Sequence, residues 1–319
     1  MTLTKRLTKG APLDAAEFDA NFEHVLDRAN HTGEGNGGAE FPTFTAAVFV
    51  ASIGDDDNPG TRADLPKLTL GGAMTAAAGL IAEGAPAVRV NVMDGGTYTE
   101  AEQLVIPANV HVTAPAARFV GTVAVAANAS FTVDKHFAPA NGANMVQHEG
   151  GSDGAAIYAA NICDGRGVGG ALTGVNNIRN VGGGGKNLFV RPGILYVGAS
   201  GIGVGDVSSG NAGHIHCLIP DLYLAGNGAV GILGSSQGQG ASNIVGFIDH
   251  ILEIDSPTGT VGIRLNAAAA AVKLMVAEII ADTAWDITAG DLYIGCPRVV
   301  GTKTGAPANR LLDLSDLPL

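Results

Sequence analysis

The chain has 319 residues, 47 of them glycine, with 15% charged and 5% aromatic side chains and a formal net charge of −12 at pH 7. Nucleic-acid binding draws on clustered Lys and Arg, and 18 basic residues spread along an acidic chain form no such patch. Membrane insertion is not predicted either, because no uninterrupted run of about 18 apolar residues occurs. Segment 267–281 comes nearest, but Lys273 and Glu278 interrupt it.

Glycine stands at about twice its usual share, while 46% of the residues remain hydrophobic. A disordered Gly-rich tail would be polar, and collagen would show a strict three-residue period. The composition therefore favours a mainly β solenoid of short strands and tight turns. The three cysteines, Cys163, Cys217 and Cys296, are isolated from one another, so they are predicted to be buried free thiols, as in a protein assembled in a cytoplasm.

Residues 1–30 predict a short amphipathic helix. Asp14 is suited to an N-cap, and Glu17, three residues later, completes a capping box. A helix of about three turns is marginal alone in water, so its apolar stripe is expected to bury against a partner. The attachment residues that this pattern singles out are Leu13, Phe18, Phe22 and Leu26.

The same segment resembles the amino-terminal attachment segment of bacteriophage tail-fibre and related virion proteins. The resemblance covers residues 3–30 and rests on Lys-Gly-Ala-Pro-Leu at 9–13, Phe18 and Asp-Ala-Asn-Phe at 19–22. It implies a virion protein, assembled in the host cytoplasm, that docks on tail or head proteins through residues 1–30 and forms a homotrimer. The other interpretation is a short capped helix in an unrelated protein.

Residues 31–43 are rich in glycine and polar side chains and are predicted to be a linker to a body over residues 44–319. The body opens with Asp-Asp-Asp-Asn-Pro-Gly at 55–60, which predicts a turn, and an Ala-rich segment through Ala82 predicts a helix. A strictly alternating strand follows at 88–93, before Gly-Thr-Tyr-x-Glu at 96–100.

This order of turn, helix, strand and Gly-Thr-Tyr-x-Glu resembles the entry to the right-handed parallel β-helices of the pectate-lyase-like superfamily. The resemblance implies a right-handed parallel β-helix whose first coil is capped by the helix. Repeating units that begin near Val230, Val261 and Trp285, at spacings of 31 and 24 residues, are typical of solenoid coils. Segment 267–281 could also be helical, since Ala favours helices, but the flanking units favour strands.

Three acidic residues, Asp249, Glu253 and Asp255, are the candidate catalytic residues. They share parity, so an unbroken strand would point them to one side, and paired carboxylates carry out glycoside cleavage. The alternative is that they are ordinary turn and surface carboxylates.

No cofactor or metal is predicted. Gly165–Gly170 fits G-x-G-x-x-G, but no amphipathic helix follows it, so tight turns are the favoured interpretation. His214 and His216 would face one side of a strand, but no third ligand is evident.

Together these features predict a phage-type virion fibre or spike protein that presents its β-helix body for recognition of a host-surface glycan or receptor. One alternative is a polysaccharide depolymerase, a glycoside hydrolase or polysaccharide lyase, on the same scaffold. Another is a purely structural head-decoration or tail-tip adaptor protein. A non-enzymatic role is favoured, because one Trp and five Tyr leave few aromatic platforms for sugars.

Overall fold

A computed structural model describes residues 44–140, 144–148, 154–170, 172–180, 186–206, 214–235, 243–305 and 309–313. The predicted anchor helix of residues 1–30, with Leu13, Phe18, Phe22 and Leu26, and the linker at 31–43 lie outside the described residues. Phe44–Leu319 forms one compact unit.

The described residues are mainly β, with 18 strands and one α-helix. The helix, α1, spans Leu70–Ala82, as the Ala-rich segment predicted. The strands are β1 (Ala46–Val50), β2 (Val88–Val92), β3 (Thr97–Thr99), β4 (Leu104–Ile106), β5 (Val110–Val120), β6 (Val123–Val125), β7 (Ala129–Phe137), β8 (Val146–His148), β9 (Gly154–Asp164), β10 (Asn176–Asn180), β11 (Lys186–Val197), β12 (Ile202–Asp206), β13 (His214–Leu224), β14 (Val230–Gly234), β15 (Asn243–Glu253), β16 (Val261–Cys296), β17 (Arg298–Thr304) and β18 (Asn309–Asp313).

All pairings between these strands are parallel, and they stack into three ladders. Ladder A runs from β1 through β2 and the first halves of β5, β7, β9, β11, β13 and β15 to residues 271–276. Ladder B runs from β3 through the second halves of the same long strands to residues 278–280 and β17. Ladder C contains β4, β6, β8, β10, β12, β14 and residues 261–265. The mainly β, parallel solenoid predicted from the sequence is therefore confirmed.

The predicted repeats correspond to circuits of this solenoid. Val230 pairs in register with Val261, so the 31-residue spacing is one full circuit. In the next circuit the backbone N–H of Thr283 donates to the carbonyl of Thr260 at 3.0 Å. Segment 267–281 is strand throughout, within β16, and the helical alternative for it is wrong.

The core consists of inward-facing columns that run along the ladders. In ladder C one column is Leu104, Val123, Val146, Ile178, Val204, Ile232 and Ile263, all buried. In-register parallel pairing places equivalent positions of successive strands about 4.8 Å apart, so each column is a continuous apolar stack. This explains why the chain reads as many short alternating segments with few aromatic residues.

The first circuit is closed by the segment between β1 and α1. The N–H of Phe49 donates to the carbonyl of Gly60 at 2.7 Å, and the N–H of Lys67 donates to the carbonyl of Phe49 at 2.9 Å, so the outer edge of β1 is paired. Helix α1 buries Leu70, Ala73, Met74 and Ala77 against the core. An unprotected first strand would expose its backbone and its core face, and the cap removes that exposure.

The Gly-Thr-Tyr-x-Glu motif ties the cap to the second circuit. Asp94 accepts hydrogen bonds from the N–H and hydroxyl of Ser52, both at 2.7 Å, and from the hydroxyl of Tyr98 at 2.6 Å. Burial opposes ionisation of Asp94, but these hydrogen bonds outweigh it and lower its pKa to about 2. Glu100 accepts from the N–H of Gly71 at 3.0 Å, in the first turn of α1.

One column of ladder B contains a buried histidine, His136, between Phe119 and Cys163. Its Nε2 lies 3.0 Å from the carbonyl oxygen of Gly121, which can only accept, so Nε2 carries the proton. Its Nδ1, 3.0 Å away, therefore accepts from the hydroxyl of Tyr158. Burial lowers the pKa of His136 to about 4, so the imidazole is neutral at pH 7.

This histidine predicts a specific pH dependence of stability. The unfolded chain binds the proton near the ordinary pKa of 6.5, whereas the folded chain binds it only near 4, so stability falls as the pH drops from 6.5 toward 4. Between pH 7.5 and pH 5 we expect His136 to cost about 2 kcal/mol of the free energy of unfolding. Urea unfolding across this range measures it.

The His136→Leu variant provides the comparison. It loses the hydrogen bond from Tyr158 and is less stable than the wild type at pH 7.5, but its stability should depend less on pH by the same amount. An equal pH slope in the wild type and the variant would contradict the assignment.

Candidate functional site

The three candidate catalytic carboxylates do not share one unbroken strand. Strand β15 turns from ladder A to ladder B at Asp249: Ile248 pairs with Val276 and His250 with Glu278, while Asp249 is skipped and exposed. Glu253 is the last residue of β15. Asp255 lies beyond it in a turn, with a positive φ of 63°. The common direction expected from their parity is therefore lost at the corner and at the strand end.

Glu253 is held by hydrogen bonds within the solenoid. Its carboxylate accepts from the hydroxyl of Thr260, a fully buried residue, and from the N–H of Asp282. The carboxylate of Asp282 accepts in turn from the N–H of Gly259. These three bonds fasten the end of β15 to the turn before β16 and to the next circuit, so Glu253 and Asp282 stabilise the coil-to-coil turn.

The charge of Asp255 acts on one basic side chain, Arg166. Arg166 donates to Asp164 at 2.9 Å and stacks over the ring of Tyr196, with 4.0 Å between the guanidinium carbon and the ring centroid. The hydrogen bonds with Asp164 raise the pKa of Arg166, and the charge of Asp255 adds to the effect. The charge of Asp255 therefore helps to stabilise the charged form of Arg166.

We expect the Glu253→Ala substitution to lower the free energy of unfolding by about 2 kcal/mol, because the buried hydroxyl of Thr260 loses its acceptor. The matched control, Asp249→Ala, removes an exposed carboxylate at a corner and should change stability by less than about 0.5 kcal/mol. Chemical denaturation of both variants measures the difference. Equal losses in the two variants would show that Glu253 does not hold the turn.

Two pairs of aromatic rings on the outer surface are stacked along the solenoid axis. Tyr196 and Tyr223 have ring centroids 5.3 Å apart, and Phe189 and His216 have centroids 4.4 Å apart with an 11° angle between their planes. Rings stacked on one another present their edges, not their faces, to solvent. A sugar packs on a ring face, so these pairs form no carbohydrate platform.

His214 and His216 lie on the same outer side of ladder A, as predicted. Their ring centroids are 6.2 Å apart, and Nε2 of His216 lies 3.3 Å from the side-chain oxygen of Asn187. Partial burial and the neighbouring His214 lower the pKa of His216. Among the described residues no group of three or more His, Cys, Asp or Glu side chains is placed to hold a metal ion.

Gly165–Gly170 forms a turn after β9. Gly167 and Gly170 have positive φ angles of 73° and 70°, which favour glycine, and the N–H of Gly170 donates to the carbonyl of Gly167 at 3.0 Å. The next regular element is β10, a strand, whereas the nucleotide-binding fingerprint requires a helix there. The glycines serve the turn, as the favoured interpretation predicted.

A polar cleft of about 420 Å³ opens beside the first strands of ladder C. We define the polar cleft by its lining residues Glu100, Ala101, Glu102, Gln103, Thr122, Pro139, Asn144 and Gln147. Its polar groups are carboxylates, side-chain amides and one hydroxyl. Such groups bind neutral polyhydroxylated ligands through many hydrogen bonds, and the volume falls in the range of small-ligand sites.

Sequence reasoning missed the polar cleft. Its lining comes from segments before β4, before β6, after β7 and around β8, which are adjacent only after three circuits are stacked. No local motif marks these positions. Only the register of ladder C, in which Val105, Ala124 and Gln147 fall in one column, brings them together.

No protein-family profile matches the chain, and neither the curated proteins nor the solved structures gave a match. Within the described residues, no helix is long and apolar enough to span a membrane.

Proposed function

We propose that this chain is a virion fibre or spike protein of the phage type. In this proposal residues 1–30 attach it to a tail or head structure, and a right-handed parallel β-helix body, in a homotrimer, faces the host surface. The observation that carries the proposal is the capped, all-parallel solenoid, which begins with the turn, helix, strand and Gly-Thr-Tyr-x-Glu order of the resemblance. A solenoid of this kind is long and laterally uniform, which suits a rigid surface projection.

The polar cleft is the candidate for host-surface recognition. Its carboxylate and amide groups suit the hydroxyl groups of a surface glycan, which donate and accept hydrogen bonds at once. Glu100 already accepts from the N–H of Gly71, so Glu102 and Gln147 are the side chains best placed to contact a ligand. A shallow site of hydrogen-bonding groups fits recognition of a repeated surface sugar.

The geometry supports the depolymerase alternative less well. Glu253 is engaged by Thr260 and by the backbone of Asp282, and Asp249 sits alone at a corner. An acid and base pair needs two carboxylates facing one substrate bond. The adaptor alternative differs from the fibre in one respect, that it needs no contact with the host.

The attachment role predicts that the Phe18→Ser, Phe22→Ser double variant is not incorporated into virus particles. The two phenylalanines form the centre of the predicted apolar stripe, and removing them eliminates the surface that would bury against the particle. Immunoblots of purified particles measure incorporation. The matched control, Glu23→Ser with Asp27→Ser, changes polar positions of the same segment outside the quoted motif and should be incorporated normally.

Normal incorporation of the phenylalanine variant would contradict the attachment role. Circular dichroism and the unfolding midpoint should be the same for the wild type and both variants, because the body folds as its own unit.

The recognition role predicts that the Glu102→Ala, Gln147→Ala double variant binds host cells at least about tenfold more weakly than the wild type. Each side chain is expected to contribute a hydrogen bond worth about 1 kcal/mol. Glu83→Ala, an exposed change at the end of α1, is the control. Unchanged binding of the double variant would exclude the polar cleft, and absence of binding by the wild type would favour the adaptor role.

A further inference from the structure

The outer surface of ladder A carries an apolar strip on its later strands. We define the apolar strip as Leu218, Val245, Phe247 and Met275, which lie on three successive strands. Phe247 is 61% exposed and pairs in register with Leu218, 51% exposed, and with Met275, 47% exposed. These three side chains form a continuous outward column, and Val245 lies beside it, two residues before Phe247. Soluble monomers rarely expose large side chains in such a contiguous group.

Three earlier strands of the same ladder, β2, β5 and β7, are polar on their outer side. Their outward positions hold Arg89, Asn91, His111, Thr113, Ser130 and Thr132. The next outward positions are mixed, with Ile157 on β9, Phe189 and Arg191 on β11 and His216 on β13, so the apolar column of this face begins at Leu218. The fold does not require this apolar column, because inward columns alone build the core.

Charged groups of opposite sign border the apolar strip. Lys273 is exposed on the ladder itself, one column before Met275. On the other side of the column, at the corner toward ladder B, Asp249 is exposed, whereas Glu278 on the next strand is already paired with Arg298. Two strips placed side by side can bring the lysine of one against the acidic corner of the other.

We propose that a second copy of this chain packs against ladder A, side by side and parallel, with the apolar strip within the contact. A parallel copy sets strip against strip, whereas an antiparallel copy in full overlap would set it against Arg89 and Asn91. A second copy also repeats the spacing of about 4.8 Å, so side chains of equivalent strands meet at every level. The proposal adds to the proposed fibre function the surface through which the copies meet. It rests on that function only for the number of copies.

The size of ladder A is sufficient for such a contact. Nine stacked segments of about five residues give a face roughly 40 Å long and about 17 Å wide, or roughly 700 Å². Stable interfaces bury about 800 Å² per partner, with an apolar centre and a polar rim. The polar outer side chains of the earlier strands would form part of that rim.

The first test is the native mass of the full chain by light scattering. The wild type should have a multiple of the 32.0 kDa chain mass, three times it for the fibre. Phe247→Asp should raise the dissociation constant between copies at least thirtyfold, because it places a charge in the middle of the apolar strip. Val105→Asp, at a 41% exposed position on ladder C, is the matched control and should retain the wild-type mass. A monomeric wild type would overturn the proposal.

Cross-linking locates the contact even when another segment holds the copies together. The three native cysteines are buried, so Phe247→Cys introduces the accessible thiol, and a short bis-maleimide should join copies through it. Val105→Cys should remain uncrosslinked under the same conditions. Equal cross-linking of the two variants would overturn the proposal.

A charge exchange tests the border of the strip. Lys273→Glu should weaken association about tenfold, and adding Asp249→Lys should restore it. Failure of both cross-linking and restoration, with normal particle incorporation, removes this contact and leaves the fibre function intact. Association through Phe247 without particle incorporation would support this contact and contradict the fibre function.

Discussion

In-register parallel stacking imposes a constraint on every residue of the stacked strands. Each side chain lies directly above its equivalent in the preceding circuit, so an inward position must suit two neighbours about 4.8 Å away on either side. The column of Val90, Val112, Phe131, Tyr158 and Val190 in ladder A meets this condition with apolar side chains throughout. The same column continues through Cys217 to Gly246, at which a Cβ would lie 2.1 Å from the carbonyl oxygen of Cys217.

The same constraint explains how polar groups are tolerated inside. His136 occupies a column position between Phe119 and Cys163, and it is compatible with the core only because both ring nitrogens have partners, Tyr158 and Gly121. A buried histidine satisfied in this way is neutral and costs little at pH 7. Its proton affinity is then fixed by burial, which is why stability and pH are linked through it.

Local features of the fold could be predicted from the sequence. The alternation at 88–92, the Ala-rich helix and the Val230 to Val261 repeat depend on neighbouring residues or on a regular period. The parity argument for Asp249, Glu253 and Asp255 could not succeed, because it assumed that β15 is straight. A corner lies where the chain passes from one ladder to the next, and the alternation of apolar and polar residues does not show at which residue this happens. The polar cleft and the apolar strip each combine several circuits, so they become visible only when the register is known.

Several acidic side chains have a structural role that bears on function. Asp56 accepts from the backbone N–H groups of Leu68 and Thr69 at 3.0 Å, and Asp94, Glu253 and Asp282 accept from backbone donors of other circuits in the same way. Turns between stacked strands leave N–H groups that no strand can pair, and carboxylates are strong acceptors for them. Carboxylates held in this way are committed to the fold and cannot also serve as mobile acids or bases. The outward columns are not needed to accept hydrogen bonds from turn N–H groups. The surface chemistry that distinguishes one solenoid from another therefore resides in these columns.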